Sequence, residues 1–204
     1  MAVLTATFLD ALTLDRPDVY VSGNLFVYYR QGVPDAVVAP DVFVVFGVPK
    51  IQRTTYKVWL EGGKVPSFVL EITSKTTQEN DQRDKPGRYA RMGVLEYFQY
   101  DPTGDYLSPV LQGQRLVAGA YQPIVATPLP DGSVSTNSQA LGLELRLSQG
   151  ALRFYTQTGE RLPSFEEERE RAIAAQERAD RLAAENARLR ELLKQQGLNP
   201  EELP

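Results

Sequence analysis

Neither cysteine nor histidine occurs anywhere in the 204 residues. Without cysteine there can be no disulfide, no thiolate zinc site and no cysteine nucleophile. Without histidine there is no Ser-His-Asp triad, no imidazole metal ligand and no ordinary proton shuttle near neutral pH. Any chemistry therefore falls to carboxylates, lysine, arginine, tyrosine and hydroxyls, and a bound metal would be a hard, oxygen-liganded ion such as magnesium or manganese. No apolar run approaches the roughly 18 residues that a membrane span needs. The opening MAVLTATFLDALTLD lacks a basic leader followed by an apolar stretch, so the expectation is a soluble, cytoplasmic chain with no membrane partner. A glycine-rich phosphate loop is missing too, because SGN and EGGK lack the strand-to-helix setting that would make one.

Charge of one sign is also scarce. The chain carries 22 basic and 26 acidic side chains, and the imbalance is concentrated at the end: net −1 over residues 1–163 and net −3 over 164–204. Neither part is a polybasic arm, so nucleic-acid binding would need a local positive groove rather than bulk attraction. What the chain does have is 42% hydrophobic residues, enough for a core of its own.

Composition changes sharply at Leu162-Pro163-Ser164, which sets the expected boundary of a domain over 1–163. Beyond it, SFEEERERAIAAQERADRLAAENARLRELLKQQG runs without proline or glycine until Gly197. Ser164 as N-cap, glutamates in the first turn and Gly197 with Pro200 as a stop predict one long helix over 164–197 and a disordered tail over 198–204. Its apolar phase is heptad-like. Phe165, Ala172, Ala179, Asn186 and Leu193 share one position, and Ala175, Leu182 and Leu189 share the other, with Glu168 interrupting. An asparagine at position a among leucines at d is a register device of parallel two-stranded coiled coils, and Glu185 and Arg190 then form an attractive pair between chains. The expectation is a homodimer through this helix; the alternative is a solvated helix folded back on its own domain.

The body mixes strands and helices. VFVVFGV (42–48) is a continuous β-branched run of strand length, the pattern of a strand covered on both faces. FVLEIT (68–73) is similar but holds one acid. A helical segment around 85–92 stops at Gly93, and EYFQYD (96–101) follows as another strand, with Tyr97, Phe98 and Tyr100 alternating between core and rim. Strand, helix and strand in that order predict a parallel pair joined by a crossover. Leucines at 141, 143, 145 and 147 alternate with polar residues, and Gln149-Gly150 reads as the turn of a hairpin with LRFYTQ. Residues 20–29 fit either a short helix capped by Ser22 or a strand.

Two acids occupy unusual places. Asp41, after Pro40, stands at the mouth of one apolar strand, and Glu71 lies inside another, where an unpaired carboxylate is costly. If the strands are neighbours, the two converge and, with the carbonyl of Ile72, can hold a divalent cation. The structural alternative is a turn cap at Asp41 and an ordinary ion pair at Glu71. Lys75 and Lys85 are the candidate cations for orienting an attacking water. Asp81, Lys85 and Tyr89 share a face if the helix begins early, but Pro86 favours Asp84 as the cap and leaves Asp81 outside. Trp59 reads as packing, and the hydroxyls of Thr73, Ser74, Thr76 and Thr77 as backbone partners.

The order VVAPDVFVVFGVPK, VPSFVLEITSKTT, DQRDKPGRYARMGVLEYFQYDP, continued by LSPVLQGQRL and LGLELRL, resembles the Uma-two restriction-endonuclease family, a branch of the PD-(D/E)XK nuclease superfamily. The similarity runs from about Tyr20 to Gly159. It implies an α/β fold, a restriction-endonuclease-like mixed sheet flanked by helices, with the long C-terminal helix appended. It also implies that Asp41 is the first motif acid and Glu71 the second. Thr73 stands where the superfamily lysine is usual; in this family the lysine is displaced to the following helix, at Lys85, with Tyr89 and Glu96 as further matching positions. Ser67 replaces a commoner Asp, and Pro86 is unusual after the lysine. The function so implied is a magnesium- or manganese-dependent endonuclease on DNA, with catalytic Asp41, Glu71 and Lys85 and the metal on Asp41, Glu71 and Ile72. Lys75 is the fallback cation. A nuclease-fold DNA-binding or assembly module without turnover is the alternative, and a metal-dependent enzyme on a substrate other than nucleic acid is a third reading.

Overall fold

The computed structural model describes residues 16–75 and 78–195. The opening 1–15, Thr76, Thr77, the stop at Gly197 and Pro200 and the expected 198–204 tail lie outside the described residues. So do the side chains of Asp81, Phe165 and Glu168. The chain divides into two units, Met1–Leu162 and Pro163–Pro204.

The first unit is built on a six-stranded mixed sheet in the order β1 (Val19–Ser22), β4 (Val42–Phe46), β6 (Phe68–Ile72), β7 (Glu96–Tyr100), β8 (Leu111–Val117) and β9 (Ala120–Ile124). Strands β4 and β6 are antiparallel, while β6 and β7 are parallel and joined through helix α1 (Gln78–Met92). The mixed α/β architecture anticipated above is thus present, and residues 20–29 resolve as strand, turn and strand, with β2 at Val27–Tyr28 and Asn24 at φ 53° between. Two small sheets complete the layers: β3 (Val37–Val38), β2 and β5 (Tyr56–Lys57), and β10 (Thr127–Pro128), β11 (Val134–Ser138), β12 (Leu143–Ser148) and β13 (Ala151–Thr156).

Because side chains alternate across a strand, each central strand feeds two cores. Val42, Val44, Phe68, Leu70, Phe98 and Tyr100 pack with Leu145 and Phe154 from the four-stranded sheet. Phe43, Val45, Val69 and Tyr97 face the other way and pack with Tyr89 and Met92 of α1 and with Val27, Val38 and Tyr56. Tyr97, Phe98 and Tyr100 therefore have no rim: every residue of β7 is buried, because the strand is covered on both sides. The β12–β13 hairpin turns on Gln149 and Gly150, both at positive φ as a two-residue hairpin of matching twist requires. Gly113 answers a different need: a Cβ there would come within 2.5 Å of the Phe98 ring.

Helix α1 corrects the sequence reading of its start. It begins at Gln78, not at Asp84, and carries Pro86 in its interior. Proline there removes a hydrogen bond and costs about 3 kcal/mol, which the burial of Tyr89 and Met92 against the sheet offsets. Its end follows the sequence: Gly93 at φ 90° accompanies a Schellman closure, with Val94 N–H donating to Tyr89 O at 3.0 Å and Gly93 N–H to Ala90 O at 3.1 Å.

The second unit is a single helix, α2 (Phe165–Gln195). It opens with a capping box: Glu167 Oε2 accepts from Ser164 N–H at 2.7 Å and Glu167 N–H donates to Ser164 Oγ at 3.3 Å. Leu182 and Leu189 are exposed on it. No helix among the described residues is long and apolar enough to cross a membrane.

Candidate active site at the β4–β6 edge

Antiparallel pairing of β4 with β6 brings Asp41, just ahead of Val42, beside the end of β6. Asp41 Oδ2 accepts from Ile72 N–H at 2.7 Å, and Asp41 N–H donates to Glu71 Oε2 at 3.2 Å. Glu71 lies on the α1 side of the sheet and is wholly buried. From α1, one turn apart, Lys85 Nζ reaches Glu71 Oε1 at 2.9 Å and Tyr89 O–H donates to the same oxygen at 2.5 Å. The structure thus brings Asp41, Glu71, Ile72, Lys85 and Tyr89 together. Lys75 is exposed and takes no part.

Burial is the largest influence on Glu71 and pushes its carboxyl up to about 7, against the opposing pull of the Lys85 ammonium and the Tyr89 hydroxyl, with Asp41 adding to the rise. The carboxyl is therefore poised between a proton and a cation near neutral pH. The donors suit a hard divalent ion: two carboxylates from neighbouring strands and the Ile72 carbonyl are all oxygen. Among the described residues no group of three or more acidic, histidine or cysteine side chains gathers. An ion at Asp41 and Glu71 would thus keep water or substrate oxygens in its remaining positions, as magnesium prefers.

A family model described as "Putative restriction endonuclease", Uma2, matches residues 2–148. The chain belongs to the Uma2 family. Among solved structures it is similar to a "putative nuclease belonging to DUF820" from Anabaena variabilis ATCC 29413, at 12% identity and a TM-score of 0.44, over 63% of this chain and 70% of that one. No curated protein matches it.

In this Uma2 member, Glu96 falls away from the site. It points to the opposite face of the sheet, where Arg115, Ser138 and the amides of Gln139 and Ala140 donate to it at 2.5 to 3.3 Å. Ser67 lies at the far end of β6, four residues and about 13 Å from Glu71. Thr73, two residues after Glu71, is buried beside the site with its hydroxyl unpartnered.

Sequence reasoning passed over Gln99. It pairs with Glu71 in register on β7 and so shares its face; it is buried, and its amide nitrogen has no hydrogen-bond partner. The signal was available, as a lone amide in the aromatic run EYFQYD. Also unforeseen is a cationic surface. Arg30 and Arg91, two positive charges against the one negative charge of Asp35, line a concavity of about 500 Å³, and Arg30, Lys57 and Trp59 line an adjoining one of about 420 Å³.

Proposed function

We propose that this chain is a magnesium- or manganese-dependent endonuclease that hydrolyses DNA phosphodiester bonds. The observation that carries the reading is the convergence of Asp41 and Glu71 across β4 and β6, with Lys85 2.9 Å from Glu71. Asp41, Glu71 and the Ile72 carbonyl would hold the ion. When bound, the ion offsets charge on the phosphoryl oxygens and the leaving oxygen. Asp41 is fixed through Oδ2 by the Ile72 N–H, and its other oxygen would serve the ion. Lys85 orients the attacking water and shields the carboxylates from the incoming phosphate. Tyr89 keeps Glu71 in one rotamer for both tasks. The arginines on and beside α1 supply the local positive groove that bulk charge does not; Arg30, Lys57 and Arg91 are in no ion pair among the described residues. The exposed leucines of α2, with Asn186 in phase, support a homodimer through that helix.

A second reading, a nuclease-fold DNA-binding or assembly module without turnover, is favoured by one feature: both oxygens of Glu71 already have donors and neither meets solvent. One experiment separates the two. Purified protein is incubated with supercoiled, linear and single-stranded DNA in magnesium, manganese and EDTA, beside Asp41→Ala and Lys85→Ala. Metal-dependent cutting lost in both variants is expected. Folded wild type that binds but never cuts would transfer the conclusion to the module.

A further inference from the structure

Beside the acidic pair, on the same face of the sheet, lies a third concavity of about 280 Å³ lined by Gln99, Tyr106, Leu107, Ser108, Gln112 and Gln114. Its position follows from register. Gln99 is paired with Glu71 on β7 and with Gln112 on β8, so three polar side chains form a row across neighbouring strands, each about 4.8 Å from the next. The concavity therefore begins one strand away from Glu71, at the carboxyl ends of the parallel pair β6 and β7, where open α/β sheets receive ligands. Tyr106 and Leu107 form its wall because Asp101 Oδ2 accepts from their amides at 2.6 and 3.0 Å.

The lining states what it would accept. Gln99 is 3% exposed and its amide nitrogen has no acceptor, a deficit of about 1 to 3 kcal/mol that a ligand acceptor would remove. No charged side chain lines the space, which tells against a phosphate, and three glutamines and a serine tell against an apolar group. What remains is a neutral, planar group rich in donors and acceptors. We infer that this pocket takes one unstacked nucleobase next to the scissile phosphate, and that Gln99 is its specificity-determining residue. The inference rests on the nuclease reading above and narrows its substrate to DNA that is single-stranded or that yields a base from the stack, since a paired base cannot enter a pocket of this kind.

The test reads binding and cutting separately. Wild type, Gln99→Leu and Gln114→Leu are each mixed in EDTA with a pool of random single-stranded oligonucleotides, and the bound fraction is sequenced. The ends produced from the same pool in manganese are sequenced in parallel. One base is expected at one position beside the cut with about tenfold preference, as a good amide contact gives. The same base is expected to be enriched in the EDTA-bound pool, and both preferences should be flattened in Gln99→Leu and weakened in Gln114→Leu. If Gln99→Leu fails to fold, Gln114→Leu at its half-buried lining position carries the comparison. Cutting that Asp41→Ala abolishes, with no base preference in wild type or with one unchanged in both glutamine variants, overturns the pocket and leaves the nuclease standing. A base preference in the bound pool without cutting supports the pocket and removes the nuclease. Wild type that binds no oligonucleotide overturns both.

Discussion

Two buried glutamates, Glu71 and Glu96, lie on adjacent strands of one sheet and meet opposite treatment. Glu96 faces the four-stranded sheet, where a guanidinium, a hydroxyl and two backbone amides saturate both its oxygens. Glu71 faces α1 and has a lysine and a tyrosine on one oxygen and a single amide contact on the other. Both are equally hidden, so burial does not distinguish them. Saturation does. A carboxylate with every lone pair engaged has nothing left to offer a ligand, whereas one held mainly by a single ammonium and a hydroxyl can exchange a partner for a cation or a proton.

The difference is largest in a pair of isosteric exchanges. Glu71→Gln is expected to lower metal-dependent cleavage on the order of 10³-fold. Glu96→Gln is expected to leave cleavage within about twofold while lowering stability by about 3 kcal/mol, because it strands the Arg115 guanidinium and turns an amide toward backbone donors. Single-turnover cleavage and urea denaturation of the two variants check this. Equal losses of cleavage would show that face and saturation do not separate the roles.

Next in size is a dependence on pH. With its folded carboxyl at about 7 against an ordinary 4.5, Glu71 keeps its proton in the native state where the unfolded chain has lost it. The unfolded state thus binds fewer protons between those values, and stability must fall as pH rises through that window, by about 3 kcal/mol at most. Below 4.5 the penalty is absent. Cleavage runs the other way, since a divalent ion needs the ionised carboxylate, so activity should climb with pH through about 7 as stability declines. Denaturation between pH 4.5 and 8 checks the sign, and Glu71→Gln should flatten the slope while Glu96→Gln preserves it.

How much of this was readable in the chain follows from what is local and what is not. Acids at a strand mouth and inside an apolar run mark themselves, so Asp41 and Glu71 were visible; Lys85 and Tyr89 are spaced at four, but the preference for Lys85 over Lys75 comes from the family resemblance, because Pro86 clouds the helix. Which face each β7 residue takes is not local: Glu96 and Gln99 differ by three positions, and only the pairing of Gln99 with Glu71 puts one at the site and the other behind it. The start of α1 misled for a related reason. Propensity around Pro86 argues for a break, but Tyr89 and Met92 find a core only if the helix runs on. The amide of Gln99 was in plain view, yet its significance needed the neighbouring strand β8 and the wall that the loop after β7 provides.

Asp101 separates face from saturation, because it shares Glu71's side of the sheet, two residues beyond Gln99, but is bonded in the manner of Glu96. Five groups donate to it: the amides of Thr103, Gly104, Tyr106 and Leu107 and the Thr103 hydroxyl, at 2.6 to 3.0 Å. Burial alone would raise its carboxyl, but the Tyr106 amide, with the Thr103 and Leu107 donors, holds it well below the usual range. If saturation governs role, Asp101→Asn should retain the catalytic rate while losing about 2 kcal/mol of stability, since the new amide nitrogen must face backbone donors. The sign of its pH dependence is the reverse of Glu71's. A depressed carboxyl contributes stability above about pH 3.9 and loses it as pH falls through the folded value. The deficit of Asp101→Asn should accordingly be full at pH 7 and shrink in strong acid. Urea titrations of both proteins at pH 7 and pH 3 measure it; a deficit of the same size at both pH values would place the cost in packing rather than in the charge.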